Sequence, residues 1–350
     1  MDEHHWAPHR PPRPFVIPVK VDPRGILGPT PGAARGQRWE RVWPGWYVPA
    51  GTDRSLPEQR VAEVGVCMHR DGVLTGWASL LLRGAAFLDG RTADGRRRLP
   101  VAVAVPPGCN PRPHRGMAYH QAPLRRRDSV HGLLCLPAPW ATFDAMRLAP
   151  STEDAVVALD MAAAAGLVTI LDIEEVLATR SSWRGVPGVP RVRSALPLAT
   201  EGSASPPEVR VRLVWVVDAG LPPPLVNVAV HDRTGRLLGY PDLLDPVAGL
   251  AIEYDGEDHR SAQRHSDDVD REAGFREVGL EMARVTSGDL RDRRRLVHRL
   301  LAARRRSRFE PEVERRWVVG RPRRPSYRPG RPHTVQMGSG TGSRGPNCTE

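Results

Sequence analysis

Three carboxylates in the second half of the chain, Asp242, Glu253 and Asp255, have the residue types and spacing that permit metal-assisted chemistry. They are spaced D-x(10)-E-x-D, among apolar runs at 226–230, 237–244 and 250–254. Asp232-Arg233-Thr234-Gly235 separates the first two runs and favours a reversal, because Asp bonds its own backbone and Gly accepts positive φ. The pattern predicts a hairpin followed by a third strand. Alternation along that third strand places Glu253 and Asp255 on one face and Tyr254 on the other, with Asp242 opposite them on the preceding strand. Hard carboxylate oxygens suit Mg2+ or Mn2+, and one or two of them leave room for water and a phosphate. Asp242, Glu253 and Asp255 are therefore the expected metal ligands. Glu208 is expected to complete the site from a neighbouring helix, Asp255 to orient a water, and His259 to shuttle a proton, since imidazole titrates near neutrality.

The elements that must position these groups follow from periodicity. A helix over 208–219 presents Val209, Leu213, Val216 and Val217 on one side. After the three strands, a charged helix is expected over 264–278, a strand over 281–286 and a basic helix over 289–306, giving the order αβββαβα. Within the charged helix, Asp267, Asp268 and Asp270 interleave with Arg264 and Arg271 as a solvated face. The first half reads as mixed α+β: a ribbon around Pro44-Gly45, helices over 57–68, 77–82, 141–148, 152–165 and 170–178, and strands over 99–105 and 130–136. The fold class expected is α/β. Its segments are a flexible arm (1–38), an α+β domain (39–199), an α/β domain (205–306) and a disordered basic tail (307–350).

The chain has 350 residues and a formal net charge of +11, a balance that favours a polyanionic partner such as DNA. Lys20 is the sole lysine, so 50 of the 51 cations are arginine, whose planar fork of donors suits phosphate. Arg291, Arg293 to Arg295, Arg299 and Arg304 to Arg306 are expected to form a phosphate-binding rim, with Arg125 to Arg127 as a further contact. The four cysteines form no C-x-x-C pair, which argues against a zinc site or a disulfide framework and fits a reducing cytoplasm. The longest apolar run, 161–171, is too short to span a bilayer, and no membrane association is expected.

The text Tyr240-Pro241-Asp242, Ile252-Glu253-Tyr254-Asp255-Gly256-Glu257-Asp258-His259, the helix with His265, Asp268 and Arg271, and the strand ending Arg284-Val285-Thr286 resemble the restriction-endonuclease-like fold. The resemblance is to its branch related to very-short-patch-repair endonucleases, and it covers residues 205 to 306. It implies a metal-dependent DNA endonuclease or phosphodiesterase. The common signature of that fold ends E-x-K, and here Asp255 stands in the lysine's place. The first half is similar to AbiEi-type antitoxin proteins, which join a DNA-binding winged helix to a larger domain. That similarity implies an alternative: a non-catalytic, DNA-binding, antitoxin-like transcriptional regulator that keeps the nuclease fold as scaffold.

Overall fold

The computed structural model describes residues 8–112, 114, 116–122, 126–255 and 271–323. Over these the chain is mixed α/β. Strands β1 (Val19–Lys20), β2 (Trp39–Trp43) and β3 (Trp46–Pro49) form a small antiparallel sheet in the order β1-β3-β2. The expected ribbon is present, and its tryptophans are used for packing. Lys20 lies over the Trp46 ring at 5.1 Å, and Trp43 meets His114 edge-on at 4.6 Å.

Helix α1 (Pro57–Cys67), β4 (Val73–Leu74) and α2 (Gly76–Leu82) lead into β5 (Val101–Val105), β6 (Met117–Gln121), β7 (Asp128–Val130) and β8 (Leu133–Cys135). The resulting sheet runs β6-β5-β4-β8-β7 and is mixed, with β5 and β6 parallel. Every residue of β5 is buried, which is why it reads as a continuous Val/Ala run. Four helices follow: α3 (Ala138–Leu148), α4 (Thr152–Ala164), α5 (Ile170–Ala178) and α6 (Val189–Ala195). Ser151 caps α4, and Thr169 with Asp172 forms a capping box on α5, so both helix starts are set by local sequence. The alanine-rich α4 is buried from Ala155 to Ala164 and is the centre of the first core.

Helix α7 (Pro206–Leu213) belongs to both halves. Its Val209 and Leu213 join the first core, while Val211 and the following Val214 and Trp215 join the second. Between α4 and α7 the Arg212 guanidinium donates to Asp160 at 2.6 Å, with Asp160 fully buried. Thr200 N–H and Ser203 Oγ also donate to Asp160, yet burial still pushes its carboxyl up to about 6. After Leu213 the helix widens into a π-turn over Val214–Asp218, closed by Ala219 N–H donating to Val214 O at 2.9 Å.

The strands of the second half are more broken than periodicity suggests. The run at 226–230 divides into β9 (Leu225–Val226) and β10 (Val228–Asp232), and the run at 237–244 into β11 (Leu237–Gly239) and β12 (Leu243–Asp245). Of these, β9 and β12 join β13 (Leu250–Asp255) and β14 (Glu281–Thr286) in a four-stranded sheet, β14-β13-β12-β9, in which only β13 and β14 are parallel. Residues 271–277 are helical and cover one face through Phe275. On the other face lies α9 (Arg293–Arg306), reached through the short α8 (Ser287–Arg291), and it buries Leu296, Leu300 and Ala303 against Leu250 and Ile252.

Both terminal segments depart from expectation. Within the arm, the Arg13 side chain is bonded to Glu58, Gln59 holds Val16 through donor and acceptor bonds, and His9 bridges Ala85. Beyond 307, β15 (Trp317–Pro322) pairs with β10 and completes the sheet β11-β10-β15. Arginine and proline content conceals this strand, whose single anchoring aromatic is Trp317, 3% exposed. Residues 1–7 and 324–350, also assigned to the arm and tail, lie outside the described residues, as does part of the expected 264–278 helix. No helix among the described residues is long and apolar enough to cross a membrane. Because Trp317 seals a third core with Phe275 and Leu280, Trp317→Ala is expected to cost about 3–5 kcal/mol, measured by denaturant unfolding. A loss below about 1 kcal/mol would show that the 307–323 segment is dispensable.

Candidate active site

Strand register brings the two carboxylates together. Leu243 pairs with Ile252 and Leu244 with Ala251, so one step further along the same antiparallel register Asp242 faces Glu253. The Tyr254 N–H donates to Asp242 Oδ2 at 2.7 Å, which fixes that carboxylate against β13. Among the described residues Oδ1 takes no corresponding donor. As alternation requires, Tyr254 packs with the core containing Leu250 and Ile252, and Glu253 turns to the face shared with Ala251.

Glu208 arrives from α7. It is the third residue after the cap Ser205, and Ser205-x-x-Glu208 is a capping-box spacing. Its Oε2 accepts from Ala204 N–H at 2.8 Å and its Oε1 from Ser205 Oγ at 2.8 Å. Asn227 Nδ2 donates to Glu208 Oε2 at 2.9 Å and to Gly202 O at 3.0 Å. Asn227 has φ of 48° and stands between β9 and β10, and its own N–H donates to Asp242 O at 3.1 Å. Asn227 thus ties Glu208 to Asp242, a role that Val-Asn-Val inside an apolar run signals only by the misplaced polar residue.

The electrostatic consequence is crowding. Burial pushes the Asp242 carboxyl well above the usual carboxylate range, and the charges of Glu208 and Glu253 push it the same way; the Tyr254 N–H and the Arg271 charge oppose. Burial also raises Glu208 against its three donors. The relieving cation is Arg271, whose Nε lies 3.2 Å from Glu253 Oε1 and whose Nη2 donates to Oε2 at 3.2 Å. Arg271 therefore does more than line a solvated helix face. Next to it Glu272 takes Arg284, the residue opposite Glu253 on β14, at 2.8 Å.

The remaining expected site residues fall elsewhere. Asp255 is exposed at the end of β13, and His259 lies outside the described residues, together with His265, Asp267, Asp268 and Asp270. Among the described residues no group of three or more His, Cys, Asp or Glu side chains has the spacing to hold a metal ion. The structure thus gives a pair, Asp242 and Glu253, in place of the expected trio with Asp255. Burial pushes the Cys67 thiol up to about 11 and the Cys135 thiol up to about 12, so neither offers a ready thiolate.

Half of the expected arginine rim is consumed internally. Arg293 pairs with Asp218 at 2.6 Å and with Glu153, Arg299 with Asp289, Arg304 with Asp245 at 2.8 Å and Arg306 with Glu281 at 2.7 Å. Helical spacing cannot reveal these pairs, because each acid comes from a different element. Arg291, Arg294, Arg295 and Arg305 stay exposed and form no ion pair among the described residues. Arg125 lies outside those residues.

A carboxyl raised on folding stabilises below its unfolded pKa and loses that contribution as pH rises through the folded value. In the absence of a cation, Asp242→Asn is therefore expected to unfold at a higher temperature than the wild type near neutral pH, since the amide keeps the acceptor for Tyr254 N–H and removes the repulsion. The gap should close as pH falls towards about 4, where the wild-type carboxyl is protonated in both states. Differential scanning calorimetry across pH checks this, and a variant less stable than wild type at neutral pH would contradict it.

Comparison with known proteins leaves the site's activity open. No family model matches the chain, and no solved structure matches it. The chain is 28% identical over 253 residues to "Uncharacterized protein MT2308" of Mycobacterium tuberculosis (strain CDC 1551 / Oshkosh), covering 72% of this chain and 86% of that protein. It matches "Uncharacterized protein Rv2248" of Mycobacterium tuberculosis (strain ATCC 25618 / H37Rv) with the same identity and coverage.

Proposed function

We propose that the protein is a divalent-metal-dependent phosphodiesterase acting on DNA, an endonuclease built on a restriction-endonuclease-like frame. The observation that carries this reading is the facing of Asp242 and Glu253 along the β12–β13 register, with Glu208 crowding Asp242 and Arg271 beside Glu253 among the described residues. The placing of α7 before the strands, of the 271–277 helix between β13 and β14, and of α9 after them also follows the order that the resemblance implies, with five short strands, β9 to β13, where it implies three.

The donor chemistry fits the cation. Hard oxygens held close at the cost of a raised carboxyl are what a Mg2+ or Mn2+ ion would relieve. Asp242 and Glu253 would hold it. Once bound, such an ion supplies Lewis-acid polarisation of a phosphate and an activated water. The chain's own residues do the positioning. Tyr254 N–H orients Asp242, and Asn227 holds Glu208 where its charge favours a protonated Asp242, whose proton an incoming cation would displace. Arg271 neutralises Glu253 and has the planar fork that also suits a phosphate oxygen. Asp255, exposed at the strand end, would orient water, and His259, four residues on in sequence, would exchange the proton.

A second reading, the DNA-binding regulator, draws on one observation: Glu253 already has Arg271 as its counter-ion, so the site is partly balanced without metal. Measurement separates the two. For the nuclease, Mg2+ or Mn2+ should raise the melting temperature of the wild type more at higher pH, because the cation must displace a proton from Asp242, and should leave Asp242→Asn unmoved. Nicking of supercoiled DNA should then fall roughly a hundredfold or more in Asp242→Ala and in Glu253→Ala. DNA binding without a metal-dependent thermal shift and without cleavage would transfer the chain to the regulatory reading.

A further inference from the structure

The loop from Asp22 to Pro29 exposes two adjacent aliphatic side chains on a rigid base. Ile26 is 74% exposed and Leu27 is 82% exposed. Surface aliphatics on a flexible loop would carry little meaning, but this loop is locked. Asp22 carboxylate oxygens accept from the N–H groups of Arg24, Ile26 and Leu27 at 2.8–2.9 Å. Asp22 N–H donates to Pro29 O at 2.9 Å and closes the base. Gly28 packs so tightly that a Cβ there would stand 2.0 Å from Lys20 O, and Gly25 takes φ of 68° at the bend. The fold therefore spends specific bonds on holding Ile26 and Leu27 out into solvent, away from both cores.

The segment that carries the loop is basic in sequence. Between Val19 and Ala50 there are five cations, Lys20, Arg24, Arg35, Arg38 and Arg41, against two acids, Asp22 and Glu40. Both acids bond to backbone N–H groups, Asp22 within the loop and Glu40 at Gly51. Arg24, Arg35, Arg38 and Arg41 are exposed and form no ion pair among the described residues. An apolar pair set among free arginines matches a surface whose edge is anionic and whose interior is stacked and apolar.

We infer that the Asp22–Pro29 loop is a wedge for duplex DNA, Ile26 and Leu27 entering a base step while Arg24, Arg35, Arg38 and Arg41 hold the flanking phosphates. Side chains of this kind unstack a step and bend the helix, and the phosphate contacts offset the unstacking. An anionic lipid surface shares the charge, but two aliphatic side chains bury fewer methylenes than a single acyl chain, which itself anchors only marginally. The inference takes its partner from the DNA reading above and adds where the duplex is opened. It does not need the acidic site to be active.

The test uses the full chain, without metal, on a short duplex carrying a fluorescent adenine analogue, with the double variant Ile26→Ser, Leu27→Ser. Both positions are exposed, so the variant should fold, and circular dichroism checks it. Wild type should brighten the analogue at a preferred step, and the variant should lose the signal and bind roughly tenfold or more weakly. Equal binding by both proteins with no brightening overturns the wedge and leaves a DNA-binding protein. Loss of binding to vesicles of anionic phospholipid in the variant, with no DNA binding by wild type, overturns it in favour of lipid. Wedge-dependent DNA binding without any cleavage supports the wedge while the nuclease reading alone fails.

Discussion

The buried Asp160–Arg212 pair is the contact on which the architecture turns. It clamps α4, the centre of the first core, to α7, which also belongs to the second. A charge pair of this burial offers little net stability against an apolar substitute, but leaving either partner alone is costly, about 3–5 kcal/mol. Its value is directional. Arg212 fixes the rotation of α7, and that rotation decides that Glu208, one turn earlier, meets Asn227 and presses on Asp242. The arrangement around the acids is therefore set from the other half of the molecule. Arg210 and Arg293, which share Glu153 on α4, reinforce the same seam.

What sequence could show of this arrangement follows from the range of each interaction. Alternation is local, and the Asp242–Glu253 facing is legible because hairpin partners lie close in sequence. The Ser205-x-x-Glu208 spacing is also local, and it changes the meaning of Glu208: the residue accepts from Ala204 N–H and Ser205 Oγ ahead of the helix as well as crowding an acid. Asn227 was hidden because a left-handed residue between two strands leaves hydrophobic periodicity almost intact. The hairpin expected from 226–244 became pieces of two sheets for the same reason. Strand β15 was hidden by composition, since Trp-Val-Val between arginines carries three apolar residues and a partner far away in sequence. The basic helix α9 is legible as a helix, while the destination of its arginines depends on acids from five other segments.

The acidic pair and its arginine illustrate a general tension. A group of like charges kept close lowers the stability of the folded chain, and such groups persist where a ligand of opposite charge gives them a use. Glu253 has Arg271 at hand, whereas Asp242 has a backbone N–H and a weaker share of the same guanidinium. The less compensated of the two acids is thus the one with the stronger call on an incoming cation.

Strand β10 is flanked by β11 from its own hairpin and by β15 from the far end of the described chain. During synthesis β10 leaves the ribosome well before β15 exists, so one of its edges must wait with its N–H and C=O groups unpaired. An open edge of this kind invites pairing with another chain. Until β15 has emerged, the core around Phe275 also lacks Trp317, and the frame around the acids remains unfinished. Maturation of the site is thereby tied to synthesis of β15, and a nascent fragment ending before it would carry the acidic residues without the frame that aims them.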